Sequence, residues 1–248
     1  PSRKYLYIAA WEGYLSENFY TVMFGDPVVQ RLYERGILLT DSQLPNQKHF
    51  KEPDEGIANH LALAYMYQDN FGFGHPLFEK FWGSGNTDQR ADFISILGRM
   101  FISGSNRDAN NLLKQNPKAK QRIKDLWDYL LAKHKEPKLF MQMGSWIGLE
   151  KDIFGADWLA KHVKETLERT SGELDWDYGL TQSVIELAKA APEDTLLIGR
   201  LYFLEGGIRK GNLQRPFNVD REWYDAFKII YENPKTKDGL HTLVGELI

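Results

Sequence analysis

Apolar residues recur every three or four positions along most of this chain. Ile123, Leu126, Trp127 and Leu130 make one stripe, and Phe93, Ile94, Leu97, Phe101 and Ile102 a second. Leu159, Val163 and Leu167 make a narrower third. This spacing puts apolar side chains on one face of a helix. Strict alternation of the strand type is nearly absent. The best strand candidate, Ile37-Leu38-Leu39, is short and precedes a polar linker, Thr40 to Asp54. Starts and stops agree with helices. Pro27, Pro76, Pro137 and Pro192 each precede a periodic run, where proline suits the first turn. Thr87 offers a cap before the run that starts at Ala91. Glu193 and Asp194 place negative charge at a helix start. Gly104, Gly148 and Gly206-Gly207 close periodic segments.

Comparison of the chain with itself shows a repeat. Phe78, Phe81, Trp82, Phe101 and Ile102 align with Ile123, Leu126, Trp127, Trp146 and Ile147. At a larger offset, Leu97-Gly98-Arg99 aligns with Ile198-Gly199-Arg200. The same shift sets Ile123, Leu126, Leu139, Gly144 and Ile147 on Tyr224, Phe227, Leu240, Gly245 and Ile248. These matches predict an all-α fold of stacked antiparallel helical hairpins, a HEAT-like α-solenoid, with hairpins near 77–103, 118–148, 176–206 and 220–248. Helices are also expected over 4–20, 27–36 and 56–69. The expected organisation is an N-terminal part, 1–55, ending in a polar linker, followed by the helical-repeat array over 56–248. A start at Pro1 rather than Met points to a fragment of a larger polypeptide.

Composition narrows the function classes. The net charge is −3, so the chain carries no general electrostatic footprint for nucleic acid. The local basic run Lys114 to Arg122 is the exception that keeps a nucleic-acid-binding repeat in view. Cysteine is absent, which removes disulfides, thiolate metal sites and a thiol nucleophile. No run of about 18 apolar residues occurs, so no membrane span is expected. The N-terminal run holds Glu12 and lacks a small-residue cleavage site, unlike a signal peptide.

Few motifs carry chemistry. Gly72-Phe73-Gly74 and Gly83-Ser84-Gly85 lack the lysine-serine ending of a phosphate loop and read as turns. The histidines, His49, His60, His75, His134, His162 and His241, include no zinc-helix pair. Ser95, Ser103, Ser145 and Ser183 have no nucleophile-elbow context. Glu173-Leu174-Asp175-Trp176-Asp177-Tyr178 packs three carboxylates and two aromatics into six residues. Paired carboxylates can bind a divalent ion or do acid–base work, but Asp175 as a helix cap is the simpler reading. No cofactor, metal or catalytic residue is expected.

Exposed aromatics mark binding faces. Most of the aromatic residues are expected in the core, Trp82, Trp127 and Trp146 among them. Tyr65, Tyr67, Trp158, Trp176, Tyr178 and Trp223 are the candidates for a face. Arg99 and Arg200, each after a glycine at matching repeat positions, are either structural ion pairs or groove residues, the first being preferred.

The stretch PLFEKFWGSGNTDQRADFISILGRMFI and the later ELDWDYGLTQSVIELAKAAPEDTLLIGRLYF carry a resemblance. They resemble the helical C-terminal regions of large bacterial proteins with an upstream STAND/NACHT-type ATPase, or a nuclease or sirtuin-like effector, linked to anti-phage defence. The similarity covers roughly residues 57–248. It implies a sensor or scaffold array whose catalytic parts lie upstream. No family catalytic residue is present to carry over, and the ATPase lysine motif is absent. The expectation is a non-catalytic, cytoplasmic interaction module that binds a protein partner or upstream domains of its own polypeptide. A helical enzyme using Glu173 to Asp177 is the alternative.

Overall fold

The computed structural model describes residues 61–62, 65–66, 71–99, 113, 117–147, 154–211 and 220–248. Of these residues 80% are helical and none lies in a strand, so the fold is all-α as the periodicity predicts. The chain divides into two compact units at Ile96/Leu97. The helices expected over 4–20 and 27–36, the strand candidate at 37–39 and the boundary at 55/56 lie outside the described residues.

In the first unit α1 spans Pro76–Ser84 and α2 starts at Thr87, running to Leu97. Gly72 to Gly74 form the turn ahead of α1, and Gly85 the turn ahead of α2. The cap of α2 is Asn86 rather than Thr87. Its carboxamide oxygen accepts from the Gln89 N–H at 2.8 Å, and Gln89 Oε1 accepts from the Asn86 N–H at 3.1 Å. This is the reciprocal capping arrangement, with asparagine and glutamine in the two roles. The core is aromatic. Phe78 stacks on Trp82 with ring centroids 5.7 Å apart, while Tyr65, Phe71 and Phe93 pack edge-on or tilted around Phe78.

The second unit contains α3 (Pro117–Lys133), α4 (Pro137–Met141) with a 3-10 turn (Gln142–Trp146), and α5 (Ala156–Thr170). It continues with α6 (Tyr178–Ala190), α7 (Pro192–Gly199) running into a π-turn (Arg200–Glu205), α8 (Arg221–Glu232) and α9 (Lys237–Leu247). Proline opens α3, α4 and α7, where its missing N–H costs nothing. α6 and α7 form a hairpin, as do α8 and α9, and α8 lies along α6. α5 packs on α3, α4, α6 and α7. The sequence repeat contains no counterpart of it.

Burial corrects the repeat register on α8. Ile123 and Leu126 are fully buried, but Tyr224, aligned with Ile123, is 68% exposed. The buried residues of α8 are Trp223, Ala226 and Ile230. Shifting α8 by one residue sets these three on Ile123, Leu126 and Leu130. A one-residue error is about 100° on a helix, enough to turn a buried side chain outward, and matching residue types alone does not detect it.

α3 and α5 meet through a polar seam inside an aromatic core. Trp127, fully buried, donates its indole N–H to Thr166 Oγ1 at 3.0 Å and meets Trp146 and Trp158 edge-on. Arg169 donates to the Leu131 carbonyl at 3.0 Å. Lys164 on α5 donates to Asp194 on α7 at 2.8 Å. That bond raises the Lys164 pKa above its ordinary value although partial burial works against it. Among the described residues no helix is long and apolar enough to cross a membrane.

Candidate functional site

The connection from α5 to α6, Ser171 to Asp177, is short and tightly seated. Three glycines let backbone approach backbone there. A Cβ on Gly144 would stand 1.9 Å from the Asp175 carbonyl oxygen. One on Gly179 would stand 1.7 Å from the Ile147 carbonyl oxygen, and one on Gly172 2.0 Å from that of Leu201. Gly172 also takes φ +83°, a conformation that glycine adopts without steric cost. The Asp175 N–H donates to the Met141 carbonyl at 2.9 Å.

Each carboxylate of the segment holds the loop to a neighbouring element. Glu173 pairs with Lys210 at 2.8 Å. Asp175 accepts from the Gln142 carboxamide. Asp177 accepts from the Tyr202 hydroxyl, on the π-turn, at 2.6 Å. The expected cap, Asp175, lies before the helix start. α6 begins at Tyr178 with Asp177 at the cap position, and Asp177 makes no side-chain cap hydrogen bond because its carboxylate is turned to Tyr202.

Trp176 stands between two of these anchors, and Tyr178 directly follows the last. Trp176 is 65% exposed and Tyr178 64% exposed. Trp176 also has φ +62°, in the left-handed region where a bulky residue is a rare outlier. Such strain persists only where the surroundings enforce it, and it concentrates at functional positions. Here the bonds of Asp175 and Asp177, one on each side, fix the residue between them.

The other sequence candidates fall elsewhere. Tyr65 is 2% exposed, packed against Phe78 and Phe93, and Trp223 is 1% exposed, stacked on Tyr202. Both belong to the core rather than to a face, because their helical positions coincide with the buried stripe. Trp158 is half-buried and already engaged: His162 stacks on it at 3.6 Å and Lys124 Nζ sits 4.6 Å over its ring. Arg200 makes a two-pronged pair with Glu246 on α9, at 2.5 and 3.0 Å, the structural role preferred from sequence. Arg99 is half-buried with its Nε covered. Tyr67 lies outside the described residues.

Sequence reasoning missed one cluster. The ring of His162, buried between α3 and α5, has Nε2 2.6 Å from Asp128 Oδ1 and Nδ1 2.8 Å from the Trp158 carbonyl oxygen. The signal was two i, i+4 pairs, Lys124 with Asp128 and Trp158 with His162, on helices far apart in sequence. Both ring nitrogens are occupied, so neither is presented to a substrate. No group of three or more His, Asp or Glu residues able to hold a metal occurs among the described residues. No family model, curated protein or solved structure matches this chain.

Proposed function

We propose that this chain is a non-catalytic helical-repeat module, a HEAT-like interaction and sensor array within a larger bacterial protein, that holds a protein partner on its Trp176–Tyr178 face. One observation carries the reading: two large aromatics stand in solvent, Trp176 on a loop locked by close backbone packing and Tyr178 at the first position of α6. Exposed, pre-ordered aromatics give binding energy with little ordering cost. The alternative use of Glu173, Asp175 and Asp177 in catalysis is disfavoured by their bonds to three different elements. A cytoplasmic role in anti-phage defence follows from the resemblance of the two quoted stretches.

The test is photo-cross-linking in bacterial cells, with a photoreactive amino acid at Tyr178 and, as control, at the exposed Lys189 at the far end of α6. The expected result is a discrete protein adduct from position 178 that disappears in the Trp176→Gly background. No adduct beyond that of the control, or one indifferent to Trp176, would overturn the reading.

A further inference from the structure

The buried ring between α3 and α5 is held in a way that selects its charge. His162 Nδ1 lies 2.8 Å from the Trp158 carbonyl oxygen, and Nε2 lies 2.6 Å from Asp128 Oδ1. A carbonyl oxygen only accepts, so Nδ1 carries a proton and donates it. An ionised carboxylate also only accepts, so Nε2 donates as well. Neutral imidazole has one N–H and imidazolium has two. The two acceptors therefore select the charged ring, in a charge-assisted bond to Asp128. The Trp158 indole, stacked at 3.6 Å, offers the same cation a π face. Lys124 works against it, with Nζ 4.6 Å over that indole. Asp128 and Lys124 are the charged groups that meet this cluster, both from α3. Among the described residues α4, α6, α7 and the π-turn send none to the ring. On α5 itself Lys164 is turned to Asp194, and Arg169 to the Leu131 carbonyl.

We propose that His162 is a proton-operated latch between α3 and α5: as imidazolium it ties the two helices through Asp128, and on losing its proton it lets Asp128 go. The ring cannot answer by turning over, because its Nδ1–H is held by the Trp158 carbonyl and its face lies on the indole. The neutral ring then aims the Nε2 lone pair at a carboxylate oxygen 2.6 Å away. Asp128 is 58% exposed, so it can turn to water. Imidazole ordinarily changes charge between roughly pH 5 and 8. The folded state favours the protonated ring, so the stability from this bond is present at the acid end of that range and lost as pH rises. Two other links of the seam, Trp127 to Thr166 and Arg169 to the Leu131 carbonyl, carry no proton that titrates there. They hold while the latch opens, which confines the change to one part of the helix pair.

Two measurements on the whole chain test the latch. Long-range proton–nitrogen correlation spectra of the imidazole rings count the protonated nitrogens. The His162 signals are those missing from His162→Gln or, should that variant not fold, those that shift in Asp128→Asn. At the acid end of the imidazole range both His162 nitrogens should read as N–H, and at the alkaline end one of them as bare. The urea midpoint should fall as pH rises across the same range. In Asp128→Asn it should fall by less than half as much, because a carboxamide can accept from the charged ring or donate to the neutral one. Asp128 is an exposed position, so this variant keeps the fold. Comparing it with the parent also removes the contribution of the other histidines, His134 beside Glu136 included. A single N–H on His162 throughout, two throughout, or a midpoint that falls equally in the parent and in Asp128→Asn would each overturn the latch.

Discussion

Replacing Trp176 by glycine and by alanine should reverse the usual order of the two residues. Trp176 is 65% exposed, so roughly a third of its surface is covered. With about 150–250 Å² available to a buried aromatic, roughly 50–90 Å² is lost on truncation. At ~25 cal/mol per Å² that costs about 1.3–2.2 kcal/mol in either variant. Alanine keeps a Cβ at φ +62° and so keeps the left-handed penalty of about 1–2 kcal/mol. Glycine removes it, and gives back about 0.5–1 kcal/mol through the greater freedom of the unfolded chain. Trp176→Gly should therefore be more stable than Trp176→Ala by about 0.5–1 kcal/mol. Tyr178, at the first position of a regular helix, is the control, where glycine should fall below alanine. Urea unfolding followed by far-ultraviolet circular dichroism reads all four variants. Alanine equal to or above glycine at position 176 would refute both the left-handed backbone and the strain assigned to it.

Trp127→Ala removes a fully buried indole and leaves Thr166 without its partner, and should cost ~3–5 kcal/mol by urea unfolding. Trp82→Ala should cost a similar amount, because Trp82 is likewise buried, in the first unit; midpoints equal to the parent would refute either packing. Gly144→Ala sets a Cβ against the Asp175 carbonyl oxygen, and should cost about 1–3 kcal/mol and speed hydrogen exchange at the Asp175 N–H. Lys164, its pKa raised by the hydrogen bond to Asp194, gives stability that is fully present below its unfolded value of 10.5 and is lost as pH rises through the folded value. Asp194→Asn should flatten that alkaline loss, measured as the urea midpoint against pH.

Helices were legible because their information is local. The prolines at 76, 137 and 192 and the stripe from Ile123 to Leu130 each specify a helix within one or two turns of chain. Burial of Trp82, Trp127 and Trp146 followed from the same stripes. What the pattern could not supply was rotation and partnership. The one-residue register error on α8 arose because Trp223 and Tyr224 are both large aromatics, and only the packing against Tyr202 and Phe203 decides which is buried. Tyr65 and Trp223 looked like face residues for the same reason. The polar seam of Asp128, His162 and Thr166 was invisible because its members lie on two helices and meet only when those pack.

The acidic-aromatic segment shows why a motif's composition misleads about its chemistry. Three carboxylates in five residues suggest a metal or an acid–base pair, which require the oxygens to converge on one point. Here they diverge: Glu173 goes to Lys210, Asp175 to Gln142, Asp177 to Tyr202. Divergence is what a loop needs if one residue is to be held in a conformation that it would not choose alone. Gly144, Gly172 and Gly179 supply the close approach that makes those bonds reachable. The acids therefore act as anchors. Spacing within the segment leaves catalysis as the lesser alternative to a structural reading, and the direction of each side chain, set by residues about 25 to 37 positions away, is that of an anchored connection.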